Sequence, residues 1–323
     1  MGIASTRLSF LRSGIVRGLL LDEITAWQAC SSYIISTNWL QADGRIARIE
    51  ADSGDQGRAD ALHDNGKFTP NSKLINLDAT AISRGLTSDS TVSDFVGIGG
   101  TEYDTQIDIF YDQTGNGRHF LGAGTGGSAF KPRVYSTISN EFELKNGVIA
   151  PYLSFARWFV PNNLNLPDNT DMVNMFIVAE SKNAFSTRGD IVDYRFDGTF
   201  IHMGVRFNQN ANNTMSIASR RISSNSLLTI HGNVAHNNEL TQIAAEFDFF
   251  DGNLRLSQNN VLATQSTSLP QGNTSGSNYS QEIGSSRTAI AGNVGEMVMI
   301  RDSTNKTNIE LINLNQMQRW GID

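Results

Sequence analysis

The segment Asp112-Gln113-Thr114-Gly115-Asn116-Gly117 combines oxygen-bearing side chains with two glycines. Asp112, Asn116 and the backbone carbonyls between them could cradle a calcium ion, a hard cation that takes oxygen ligands. Alternatively, Gly115 and Gly117 supply positive φ and the Asp112 side chain caps the turn. A second group, Tyr152, Arg157, Trp158 and Asn162, with Phe159 beside them, offers what a sugar needs. An aromatic ring gives an apolar stacking surface, and planar polar side chains fix the hydroxyls. The other use of Trp158 and Phe159 is to fill a core or an interface.

Other chemistries find little footing. The five histidines, His63, His119, His202, His231 and His236, show no metal-binding spacing. The glycine-rich run from Gly122 to Gly127 lacks the lysine and hydroxyl of a phosphate-binding loop. Cys30 is the only cysteine, so an intrachain disulfide and a cysteine-based zinc site are both excluded. No cofactor is expected beyond the calcium that the Asp112 turn could hold. The net charge of -7 carries no basic footprint for nucleic acid. No apolar run reaches the length of a membrane span; Gly18-Leu19-Leu20-Leu21 ends at Asp22-Glu23. Neither nucleic acid nor a membrane is therefore an expected partner.

The elements that must position these groups are mostly strands. Residues 45–51 read as a strand, 52–66 as a loop, and 74–94 as mixed helix and turn. Residues 22–34 suit a short helix, with Leu20, Ile24 and Trp27 on one side. Beyond 171, strands are expected at 172–181, 190–196, 200–207, 214–220, 226–231, 240–249, 253–258 and 295–301. Clusters of Gly, Asn, Asp and Ser separate nearly all of them, which is the pattern of an antiparallel sandwich or barrel. Asp251-Gly252-Asn253 suits a hairpin turn, and 308–320 a terminal helix. With 39% hydrophobic residues the chain can build a sizeable core. The expected organisation is an arm over 1–25, carrying Arg7, Arg12 and Arg17, and one domain over 26–323.

Three segments carry a family resemblance. Ile109-Phe110-Tyr111-Asp112-Gln113-Thr114-Gly115-Asn116-Gly117-Arg118-His119-Phe120, followed by Lys131-Pro132-Arg133-Val134, resembles a stretch of the arabinofuranosidase B catalytic domain. It also resembles a stretch that recurs in many bacteriophage structural proteins sharing that fold. Leu240-Thr241-Gln242-Ile243 through Asn259-Asn260-Val261-Leu262 resembles a hairpin of concanavalin A-like and laminin G-like domains. Glu282-Ile283-Gly284 through Gly292-Asn293-Val294-Gly295-Glu296-Met297-Val298-Met299-Ile300 is similar to the closing strand of those sandwiches.

The resemblance implies an all-β fold, an antiparallel concanavalin A-like jelly roll with short helices. It implies a bacteriophage virion protein without enzymatic activity: a tail fibre, head fibre or capsid decoration. Its expected place is the particle surface. Expected partners are other virion subunits, further copies of this chain in a trimer, and a host cell-surface glycan. A glycoside hydrolase is the rival, since the same resemblance leads to arabinofuranosidases. Such an enzyme needs two facing carboxylates, and the sequence alone pairs none. The vicinal disulfide of that family cannot form with Cys30 alone. A purely architectural subunit is the third reading.

Overall fold

A computed structural model describes residues 19–51, 56–97, 104–124, 131–154, 157–161, 170–182, 189–196, 200–207, 214–222, 225–235, 239–274, 279–284, 292–301 and 309–323. Antiparallel ladders dominate it. The back sheet runs, in spatial order, Gln28–Ser31, Gly292–Arg301, Met172–Ser181, Thr241–Asp248, Asn253–Gln258, Val261–Ser266. The front sheet begins Leu228–Ala235, Thr214–Ser219, Phe200–Phe207, Gly189–Phe196, Tyr279–Ile283. It continues through Arg157–Pro161, Phe120–Gly124, Thr105–Phe110, Arg45–Ala51, Arg58–Leu62 and Leu74–Ile75. Arg133–Ser136 pairs with both Thr105–Phe110 and Tyr152–Leu153, and Tyr152–Leu153 reaches the back sheet at Gly292–Asn293. The fold is the all-β sandwich expected.

Period-two alternation decides what each sheet buries. Along Met172–Ser181, Val173, Met175, Ile177 and Ala179 enter the core between the sheets. Phe176 and Val178 enter a second core on the opposite side. Gly292–Arg301 behaves alike, with Met297 and Met299 inward and Val298 and Ile300 outward. Both strands are buried on both faces, because the terminal helix Ile309–Trp320 and the residues flanking Gln28–Ser31, among them Leu20, Ile24, Tyr33 and Ile35, cover the back sheet. Glu296, with no solvent exposure, anchors that helix: it accepts hydrogen bonds from Trp320 Nε1 (2.9 Å), Arg319 (2.6 Å) and Ser31 Oγ (2.9 Å).

The turns follow their local sequence. Asp248 Oδ1 accepts the amides of Phe250 and Asp251, and Gly252 takes φ +74° where a Cβ would meet Leu269 O at 2.8 Å. Asn259 and Asn260 both adopt positive φ between Gln258 and Val261, the backbone of a two-residue type I′ hairpin.

Two local expectations need correction. The helix expected over 22–34 is confined to Leu20–Glu23; Gln28–Ser31 is a strand. Ladder bonds to Glu296–Met299 outweigh its helical periodicity. The loop expected over 52–66 contains the strand Arg58–Leu62, because Ala59 and Ala61 drop into the core while Asp60 turns outward to arginines. Leu20 and Ile24, counted with the arm from sequence, are buried in the second core.

Candidate functional site

The outward side of the front sheet collects polar groups by register. Val192, Tyr194 and Ile283 face the core, so Asp193 and Glu282 between them face out. The two are direct partners on neighbouring antiparallel strands. Such partners hold their Cβ atoms about 4.5–5.5 Å apart. Asp193 continues the row to Gly204, Ala218 and Thr229. Arg206 and Ser216, one row along, are also paired and also buried. On the other flank, Phe159 pairs with Ile283 in the core, which turns Trp158 and Val160 to the same outer side as Glu282.

Shape follows from exposure. Asp193 is 2% exposed and Arg206 5%, whereas Trp158 and Glu282 are partly open. Asp193 and Arg206 are the buried end of this row, and Trp158 and Glu282 its half-buried flank. Gly284 stands at the edge of this face: at φ +73°, an added Cβ would meet Leu153 at 3.1 Å and Trp158 Cβ at 3.4 Å, so a side chain there would be strained. An aromatic ring, two carboxylates and a guanidinium on one rigid face can stack a sugar ring and bond its hydroxyls.

The residues singled out from sequence are distributed differently. Trp158 stands on this outer face. Arg157 is 8% exposed, donates to Lys131 O at 2.8 Å and pairs with Asp104 at 3.2 Å. Burial pulls its pKa down against the pull of Asp104. It braces two loops rather than offering a free fork. The Tyr152 ring is half-buried, with the Arg133 guanidinium 4.8 Å and the Lys182 ammonium 5.1 Å from its centroid. Glu143 joins those two cations at 2.7 Å each, and they hold its carboxyl below the usual range despite burial. Asn162 lies outside the described residues.

Asp112 and Asn116 do share one turn. The Asp112 carboxylate is fully buried and accepts the amides of Ala29 (3.0 Å), Thr114 (3.2 Å) and Arg118 (3.0 Å). Asn116 donates to Trp27 O at 3.2 Å. Both Asp112 oxygens face donors of the chain itself, the geometry of a cap; a calcium ion would have to displace them. Among the described residues no group of three metal-ligating side chains converges.

Sequence reasoning missed Asp193 and Glu282. The strand carrying Asp193 was readable, but Tyr279–Ile283 was not foreseen, and only the register between them brings the carboxylates together.

No family model matches the chain, and no curated protein matches it either. Solved structures do. An arabinofuranosidase complexed with arabinofuranosyl-alpha-1,2-xylobiose superposes with a TM-score of 0.54 at 12% identity, over 90% of this chain. The likeness is one of fold. A GH54 α-L-arabinofuranosidase soaked with a cyclic sulfate inhibitor matches with the same TM-score, identity and coverage. The chain spans 62% of the length of either enzyme chain. The binding domain of botulinum neurotoxin serotype D matches more weakly, at TM-score 0.46 and 8% identity, over 65% of this chain and 49% of that one.

Proposed function

We propose that this chain is a surface subunit of a bacteriophage particle whose front sheet recognises a host glycan. The observation that carries the reading is the outward row of the front sheet, where Trp158, Glu282, Asp193 and Arg206 share one face. A ring for stacking beside charged hydrogen-bonding groups on a rigid sheet suits a sugar. The Asp112–Gly117 and Lys131–Val134 segments, with their resemblance to phage structural proteins, support the particle context. Other virion subunits and further copies of this chain, in a trimer, are then its partners. Binding of the purified protein to host surface polysaccharide tests the reading. Trp158→Ala and Asp193→Asn should each weaken binding about tenfold or more, while an antibody to the chain should label the particle surface. Undiminished binding in both variants would refute the sugar-binding face.

One observation favours a second reading, a glycoside hydrolase. Asp193 and Glu282 are opposed directly, and their carboxyl groups can reach the separation of about 5–5.5 Å used by retaining glycosidases. Release of reducing sugar from host polysaccharide, abolished in Glu282→Gln, would establish that activity.

A further inference from the structure

We infer that the back sheet carries a second ligand site, a pocket for one neutral sugar unit, separate from the front face. The pocket holds about 250 Å³ and opens where the terminal helix begins, at Ile309. That is small beside ligand pockets of about 300–1,000 Å³, so it suits a single ring rather than a chain of them.

Strand register builds its floor. Asn174 lies opposite Glu246, Glu246 opposite Arg255, and Arg255 opposite Gln265. An amide, a carboxylate, a guanidinium and a second amide therefore stand in one row on the outer side of the sheet. The adjacent row places Phe176 opposite Ala244 and Ala244 opposite Ser257. Leu262, 50% exposed, forms the rim.

The chemistry of these two rows selects the ligand. Glu246 and Arg255 stand 3.4 Å apart, with 11% and 46% of their side chains exposed. The carboxylate repels an anion and the guanidinium repels a cation, so a neutral ligand is favoured. Adjacent hydroxyls can donate to Glu246 and accept from Arg255. The C–H side of the same ring can rest on the apolar row. Asn174 supplies an independent sign: it is 1% exposed, lines the pocket, and its Oδ1 meets no hydrogen-bond donor among the described residues. An unmet buried acceptor is unfavourable, and a ligand hydroxyl would satisfy it.

Saturation-transfer NMR with methyl α-D-glucopyranoside, methyl β-D-galactopyranoside and methyl α-L-arabinofuranoside tests the site. At least one should bind with a Kd of about 1–10 mM, an affinity fitting a single ring. Glu246→Gln and Arg255→Met should each weaken it tenfold or more. Arg255 is exposed enough that its replacement leaves the fold intact, which an unchanged circular dichroism melt will show. No transfer to any of the three glycosides at about 50 mM would overturn the site. So would loss of the signal in Glu282→Gln with retention in Glu246→Gln, which would put the sugar on the front sheet instead.

Discussion

Asp112 accepts three backbone amides while fully buried, so its removal strands the buried Ala29 amide and leaves those of Thr114 and Arg118 to water. Each unmet buried donor costs about 1–3 kcal/mol. Asp112→Ala should therefore lower stability by about 2 kcal/mol in urea unfolding. Added calcium should leave the wild-type melting temperature unchanged; a rise would restore the cation reading of Asp112 and Asn116. Asp60 is the second buried carboxylate of consequence. Burial alone would raise its pKa, but hydrogen bonds from Arg48, Asn76, Tyr111 and Arg45 outweigh burial and depress it. A depressed folded-state pKa gives stability that is full above the unfolded value and lost as pH falls through the folded one. The urea midpoint should thus stay level from pH 7 to about 5 and drop below about 4. Asp60→Asn should flatten that acid slope and cost about 2 kcal/mol at neutral pH, its arginine partners being part exposed. An acid slope unchanged in the variant would remove Asp60 as its source.

At the scale of elements, the terminal helix is fixed by shape as well as by the Glu296 network. Trp320 is fully buried against Gly295, where an added Cβ would meet the indole at 2.2 Å. Gly295→Ala should force the indole to shift and destabilise by about 1–3 kcal/mol. Trp320→Ala should cost about 3–5 kcal/mol. Far-UV spectra and urea midpoints check both; wild-type stability in either variant would contradict the packing. The helix itself was readable from the spacing of Ile309, Ile312 and Met317. The hairpin at Asp251-Gly252 was readable because turn chemistry is local. Gln28–Ser31 was not, since it becomes a strand only by pairing with Glu296–Met299 far away in the chain; Arg58–Leu62, which pairs nearby with Arg45–Glu50, was hidden by the Asp- and Gly-rich composition around it.

For the whole molecule, the same limit governed the site. The strand carrying Asp193 was readable, but nothing local announced Glu282 as its neighbour. Trp158 was singled out because aromatic character is visible in one residue. Arg157 and Tyr152 share its neighbourhood in sequence, yet the ion pair of Arg157 with Asp104 and the contacts of Tyr152 with Arg133 and Lys182 turn them to bracing. One core joins both sheets, so unfolding should be a single cooperative transition with a β-type spectrum. Two separate melts would mean that the sheets do not share that core.

The most direct measurement is hydrogen–deuterium exchange with and without host polysaccharide. The strands Arg157–Pro161, Gly189–Phe196 and Tyr279–Ile283 should gain protection on binding. Saturating polysaccharide that leaves exchange in all three strands unchanged would contradict recognition by the front sheet.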